Sequence, residues 1–313
     1  MSSTAPIAEP GGGVGLSPRI FVQRIFAGKT GPVLTVLAAL VILWYAGAVY
    51  LNAPQQIDRD RRAEIERSVT DFMGATWAQE RPVLPAPHQV AAEIWKTTFA
   101  MNPTSKRSLV YHGWVTLSST LTGFGIGVLL GIVLAVGIVY SRTLDRSLMP
   151  WIITSQTIPI LAIAPMIVVV LGSLDVAPIF AKGTVSAYLA FFPVAVGMVK
   201  GLRSPDPMLL DLMRTYSASN WQTLVKLRLP SAMPFLFASL KVAIAISLVG
   251  AIVGELPTGA RAGLGARLLA GSYYGQTVQI WSALLVAAFM AAILVTIVGF
   301  ADRLVLKRMG IAE

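Results

Sequence analysis

The chain has 313 residues, 55% of them apolar and only 13% charged, with a mean hydropathy of +0.69. No water-soluble domain needs so much apolar surface, so the class is integral membrane protein. The lack of cysteine excludes a disulfide scaffold and a thiolate metal site. The net charge of +10 falls largely on residues flanking apolar runs, which points to membrane topology rather than to nucleic acid.

Residues 1–31 read as a disordered tail, rich in Gly, Pro, Ser and Ala up to residue 18 and then basic at Arg19, Arg24 and Lys29. The first apolar run, Val33–Leu51, is long enough to cross a bilayer, and 32–52 is taken as the first transmembrane helix. A cleaved signal with Ala46-Gly47-Ala48 as its site is the competing reading. Residues 53–112 form a long polar connection. It holds a mixed-charge helix at Arg59–Arg67, a proline-rich piece at Arg81–Pro87, and an amphipathic helix at His88–Ala100 carrying Trp95 and Phe99.

Five further spans are expected within a core at 113–303. His112-Gly113-Trp114 opens Val115–Tyr140, where Gly123, Gly127, Gly131 and Ala135 recur at every fourth position. That stripe is a packing face for a neighbouring helix. The sequence GFGIG within it is not a dinucleotide fingerprint, because no strand precedes it. Ser141–Met149 is a short basic turn. Pro150–Leu171 is the third span, bent at Pro159 and Pro165, with Ser155, Gln156 and Thr157 just before the first bend. Together with Pro159 these three are candidates for the translocation path, with plain interhelical hydrogen bonding as the alternative. Asp175–Lys182 is an outer turn and Gly183–Val199 the fourth span. Phe235–Gly254 is the fifth, with Lys241 within snorkelling reach of the inner surface. Glu255–Gln279 is a Gly-rich outer loop with Glu255 capping the fifth span, and Ile280–Phe300 is the sixth span, followed by a tail at 304–313.

Between the fourth and fifth spans lies a polar, basic loop, 200–234. Its segment Asp211–Pro230 pairs Leu212 with Tyr216 and Trp221 with Leu224 and Val225 at helical spacing, leaving Asp211, Arg214, Asn220 and Lys226 mostly off those stripes. Pro230 and Pro234 are expected to stop the helix. A short amphipathic helix between spans suits the groove of a soluble partner.

This segment resembles the cytoplasmic signature of binding-protein-dependent ABC importer permeases: Glu-Ala-Ala, three residues, Gly, nine residues, Ile, one residue, Leu-Pro. Asp211 falls at the Glu position, Leu212-Met213 at the two Ala positions, Ser217 at the Gly, Leu227 at the Ile, and Leu229-Pro230 at the Leu-Pro. Ser217–Gln222 is similar to a variant found in the nitrate, sulfonate and taurine branch. The resemblance extends loosely from about residue 82 to the C-terminus. It implies an all-α fold with six transmembrane helices and both termini cytoplasmic, like a type I ABC-importer permease. It also implies two cytoplasmic ATP-binding subunits, a second permease copy or a sister, and a periplasmic solute-binding protein. The chain itself is then no enzyme and holds no cofactor, ATP and magnesium being bound by the partner ATPase. The site implied is an ATPase-coupling set of Asp211, Arg214, Ser217, Ala218, Trp221, Leu227 and Pro230. The solute implied is a small organic or inorganic anion, such as a sulfonate, taurine or nitrate, or a pyrimidine-type compound.

Charge agrees with that placement in the inner membrane of a bacterium. With the N-terminus inside, the inner segments carry thirteen Lys or Arg and the two short outer loops three (Lys182, Arg261, Arg267). The eight in the long outer loop count little. No catalytic constellation is visible: His88 and His112 lie outside the spans, near Pro or Gly, and suit a surface or interfacial role rather than metal binding, and Gly28-Lys29-Thr30 fails as a phosphate loop because its first Gly would be Gln23. An ion-coupled carrier or channel acting without an ATPase is the other reading, and it would favour a midplane carboxylate, which no span supplies.

Overall fold

The structure is a computed structural model that describes residues 30–256 and 262–310. The expectations for the N-terminal tail up to residue 29, for Arg261 and for the last three residues of the C-terminal tail lie outside the described residues. The described residues are helical, and the chain divides into two units, Met1–Gln79 and Glu80–Glu313.

In the first unit, α1 (Thr30–Ala63) outruns its apolar part, carrying on through Pro54 into charged sequence. Its lipid-length half is exposed from Val33 to Leu43, as a helix solvated by acyl chains must be. The mixed-charge helix expected at Arg59–Arg67 is cut short: α1 ends at Ala63 and Glu64 turns the chain with φ 53°. A helix not anticipated, α2 (Val69–Trp77), folds back on α1. Asn52 donates to the Thr76 carbonyl at 3.2 Å, Gln79 to Gln56 at 3.0 Å, and the Trp77 ring meets Tyr45 edge-on at 5.2 Å.

The second unit opens with α3 (Pro87–Thr98), close to the amphipathic helix expected there. Next comes α4 (Leu109–Tyr140), which starts earlier than its apolar run because Ser108 caps it by accepting from the Val110 N–H. Ser141 caps α5 (Arg142–Ser155), so Ser141–Met149 is not a turn. Then follow α6 (Ile160–Ser173), α7 (Pro178–Leu202), α8 (Pro207–Thr215), α9 (Asn220–Thr223), a π-helical turn at Leu224–Arg228, α10 (Leu229–Gly254), α11 (Leu264–Tyr273) and α12 (Thr277–Arg308). The loop expected at Glu255–Gln279 therefore contains a helix.

Among the described residues, five helical runs are long and apolar enough to cross a membrane: α1, α4, α7, Asn220–Gly254 and α12. The sixth is broken. α5 and α6, which together cover the expected third span, meet at 102° across a break of a few residues. The cause is local. Pro159 has no N–H and pushes Ile158 out of helical backbone, while Pro165 sits inside α6.

The centre of the unit is α7, buried along most of its length between α4 and α10. Small residues allow this. A Cβ on Gly123 would lie 2.3 Å from that of Ser186, one on Gly127 2.7 Å from that of Ala190, and one on Gly131 2.8 Å from that of Val194. The expected packing stripe is thus the α4–α7 contact. Lys241, partly exposed, reaches α12 and pairs with Asp302 at 2.6 Å, six residues before that helix ends.

Candidate functional site

The segment Asp211–Pro230 is built from two helix ends and a turn. Asp206 starts α8 by accepting from the Met208 N–H at 2.8 Å, with Pro207 as first helical residue. α8 stops in a Schellman arrangement: the Ala218 N–H reaches the Met213 carbonyl and the Ser217 N–H that of Arg214, both at 2.9 Å. Ser217 occupies the position that needs left-handed backbone, at φ 50°. That is why the signature has Gly there. Ser219 then caps α9 reciprocally with Gln222. The Ser-x-x-Gln spacing was the available signal for that second cap.

The two helices leave apolar groups in the open. Met208 is 77% exposed, Tyr216 77% and Trp221 70%, with Leu209 and Leu212 also exposed. Asp211 and Arg214 pair with each other at 2.9 Å on the solvent side. Ala218 is half-buried at the turn.

The helix does not stop at Pro230 or Pro234. The π turn widens the coil, so the Leu229 N–H bonds five residues back to the Leu224 carbonyl. The extra residue makes room for the Pro230 ring, which would otherwise strike the carbonyl four residues earlier. Ser231 donates to the Leu227 carbonyl at 2.8 Å. Two side chains tie the segment to the spans. Arg228 donates to the Leu202 carbonyl at 2.6 Å and lies 5.8 Å over the Tyr140 ring. Tyr140 in turn donates to the Asn220 carbonyl at 3.0 Å.

The other candidates, Ser155, Gln156, Thr157 and Pro159, form the α5–α6 break. Ser155 donates to the Ile152 carbonyl at 2.7 Å and Thr157 to that of Thr154 at 2.8 Å, so these hydroxyls serve their own helix. The contact across helices comes from Tyr188 of α7, whose hydroxyl donates to the Ser155 carbonyl. Gln156, Thr157 and Pro159 are exposed. The structure does not bring this break together with the Asp211–Pro230 segment as one site.

At the far end of α10 from that segment, Glu255 is fully buried. It accepts from the Thr116 hydroxyl at 2.8 Å and the Gly265 N–H at 2.9 Å, with the Lys182 ammonium at 3.9 Å. Burial pushes its carboxyl up to about 7, against the opposing pull of Lys182 and the two hydrogen bonds.

The model of the family described as "binding-protein-dependent transport system inner membrane component" matches residues 127–311. The chain belongs to that family. It is a multi-pass inner-membrane permease, and such permeases work with an ATPase and a solute-binding protein rather than as enzymes. The permease is 31% identical to the riboflavin transport system permease of Chloroflexus aurantiacus over 98% of each chain. It is 31% identical to a probable ABC transporter permease of Haemophilus influenzae, over 65% of this chain and 78% of that one. Against the formylaminopyrimidine transport permease of Halalkalibacterium halodurans the identity is 33%, over 49% of this chain and 60% of the relative. Within the permease, the residues that sequence reasoning missed are Tyr140, Arg228 and Tyr188, whose partners lie 80, 26 and 33 residues away.

Proposed function

We propose that the permease moves a small solute through the inner membrane by conformational coupling to a separate ATPase pair, which the segment Asp211–Pro230 contacts on the cytoplasmic side. The observation that carries this is the exposure of the apolar side chains of Met208, Leu212, Tyr216 and Trp221, in a segment whose Asn220–Arg228 end is tied to α4 and α7 by Tyr140 and Arg228. Exposed aromatic and Met side chains on short capped helices suit a groove on another protein. Ser217, Ala218 and Trp221 are the contact points. Asp211 and Arg214 rim them, and Leu227 and Pro230 shape the return of the chain.

ATP closes the ATPase pair, the segment follows, and the spans open outward to a docked binding protein. Hydrolysis resets them. Two permeases, identical or sister chains, enclose the path. ATP and magnesium stay on the ATPase, and this chain carries no cofactor.

The solute is a planar nitrogen heterocycle of the flavin or pyrimidine kind. The names of two relatives support that class. The direct test is reconstitution with the ATPase and binding protein. ATP-driven uptake of labelled riboflavin or an aminopyrimidine is expected, with taurine and nitrate as controls. Uptake driven by an ion gradient without ATP would refute the mechanism. Ala218→Glu is expected to leave hydrolysis running while abolishing uptake, and unchanged uptake would refute the contact assignment.

A further inference from the structure

The buried carboxylate of Glu255 anchors more of the chain than its own helix end. Four successive residues, Ala262 to Gly265, each give one main-chain group to a side chain elsewhere. Lys182 of α7 donates to the Ala262 carbonyl at 2.9 Å. The Gly263 N–H donates to His112 of α4 at 3.0 Å. The Leu264 N–H donates to Thr116 of α4 at 2.8 Å, and the Gly265 N–H to Glu255 at the end of α10 at 2.9 Å. The fit leaves no slack. A Cβ at Gly263 would lie 2.1 Å from the Glu255 carboxyl carbon, and one at Gly265 2.2 Å from the Ile252 carbonyl oxygen. A loop that merely connected two spans would have no need of such fixation, and burying a carboxylate is costly unless it is fully paired.

The same three spans are meshed through their small residues. Gly250 of α10 would place a Cβ 2.7 Å from the Ser186 Cα of α7, and Gly123 of α4 approaches the same residue. At the opposite end Arg228 and Tyr140 tie α7 and α4 to the segment that enters α10. Helices packed at backbone distance, and tied at both ends, resist shear.

We propose that Glu255 is a positioning residue for transport: it rivets the outer loop to α4, α7 and α10, so that the loop and these three spans turn as one body when the Asp211–Pro230 segment is pulled. The proposal rests on the ATPase-coupled reading given above. Motion delivered at the inner end thereby reaches the outer loop undiminished, and opening takes place at other helix contacts.

The chain has no cysteine, so engineered pairs report cleanly. A Cβ at Gly183 lies 3.5 Å from that of Thr122, and one at Gly254 lies 3.5 Å from that of Val185, within disulfide range. The variants Thr122→Cys/Gly183→Cys (α4 to α7) and Val185→Cys/Gly254→Cys (α7 to α10) are assembled with the ATPase and binding protein. The expected result is equal ATP hydrolysis in the oxidised and reduced forms. Hydrolysis that stops on oxidation and returns with reductant overturns the proposal. Nitroxides at Trp114→Cys and Tyr273→Cys, both exposed, give a second readout. Their distance is expected to stay fixed on trapping with ATP and vanadate, and to broaden in a Glu255→Ala background. A shift on trapping with Glu255 intact, or a distribution left narrow by Glu255→Ala, overturns it. A wild-type complex with no hydrolysis stimulated by the binding protein would instead overturn the underlying transport reading.

Discussion

Arg228 reaches back 26 residues to donate to the Leu202 carbonyl at 2.6 Å, while its guanidinium lies 5.8 Å over the Tyr140 ring. One side chain thus joins the C-terminal ends of α7 and α4 to the π turn that leads into α10. It sits between the exposed signature segment and the packed spans, where the proposed coupling would have a pull on that segment pass.

Removing that joint should separate hydrolysis from transport. Arg228→Ala is expected to lower ATP-driven uptake about tenfold, toward the lower end of the range for a coupling free energy. The ATPase should still co-purify. Arg228→Lys should not restore uptake, because a point charge cannot both stack on Tyr140 and reach the Leu202 carbonyl. Uptake assays on the two variants decide this.

Ser217 tests the turn chemistry. Its left-handed backbone costs a side chain roughly 1–2 kcal/mol that Gly does not incur, partly offset by the greater freedom Gly has when unfolded. Ser217→Gly should raise the thermal unfolding midpoint in detergent, and Ser217→Val should lower it, since a β-branched residue tolerates this region worst. The reverse order would contradict the Schellman assignment.

Two glycines within one pentapeptide make opposite predictions. A Cβ at Gly123 would lie 2.4 Å from the Gly183 carbonyl oxygen, whereas one at Gly125 meets nothing within 4 Å. Gly123→Ala should cost about 1–3 kcal/mol, the usual penalty of overpacking. Gly125→Ala should be neutral or slightly stabilising, since Ala favours helix. Unfolding midpoints of the pair check this.

Glu255 predicts a pH dependence. Its carboxyl titrates near 7 when buried, above its ordinary 4.5. The folded state therefore holds the proton more tightly than the unfolded state. The stability this confers is complete below pH 4.5 and is lost as pH rises through 7. The full swing is on the order of 3 kcal/mol. Lys182 from α7 is the ionisable group that faces it, and His112 from α4, with Arg267 of α11 acting on it, titrates next to the same loop. The measurement is therefore the difference between wild type and Glu255→Gln. The unfolding midpoint of wild type should fall more than that of Glu255→Gln between pH 5 and pH 8. Parallel curves would contradict the assignment.

Much of this architecture was legible in local sequence. The Gly123–Ala135 stripe marked the face that meets α7, because four-residue spacing places those positions on one side of a helix. The signature spacing marked the segment that ends exposed. What local reading missed depends on distant partners or on the competition between proline and its surroundings. Pro230 reads as a helix stop, yet the π turn absorbs it. Pro159 reads as a bend, yet with Gln156 and Thr157 closing α5 by short turns it becomes a break of 102°. Glu255 reads only as a cap on the fifth span because Thr116, 139 residues earlier, carries no mark of their meeting. Residues 264–273 read as loop because their glycines outweigh their helical content, while the bonds that fix them come from α4 and α10.

The central claim is that the segment around Ser217–Trp221 lies against an ATPase on the cytoplasmic side. The most direct measurement places the chain's only cysteine at Ala218 and a second single cysteine in the groove of the ATPase subunit, then oxidises the assembled complex. The account predicts a disulfide between the two proteins, with Ala218→Cys protected from an impermeant maleimide added on the periplasmic side. No bond to the ATPase, together with labelling from the periplasm, would contradict it.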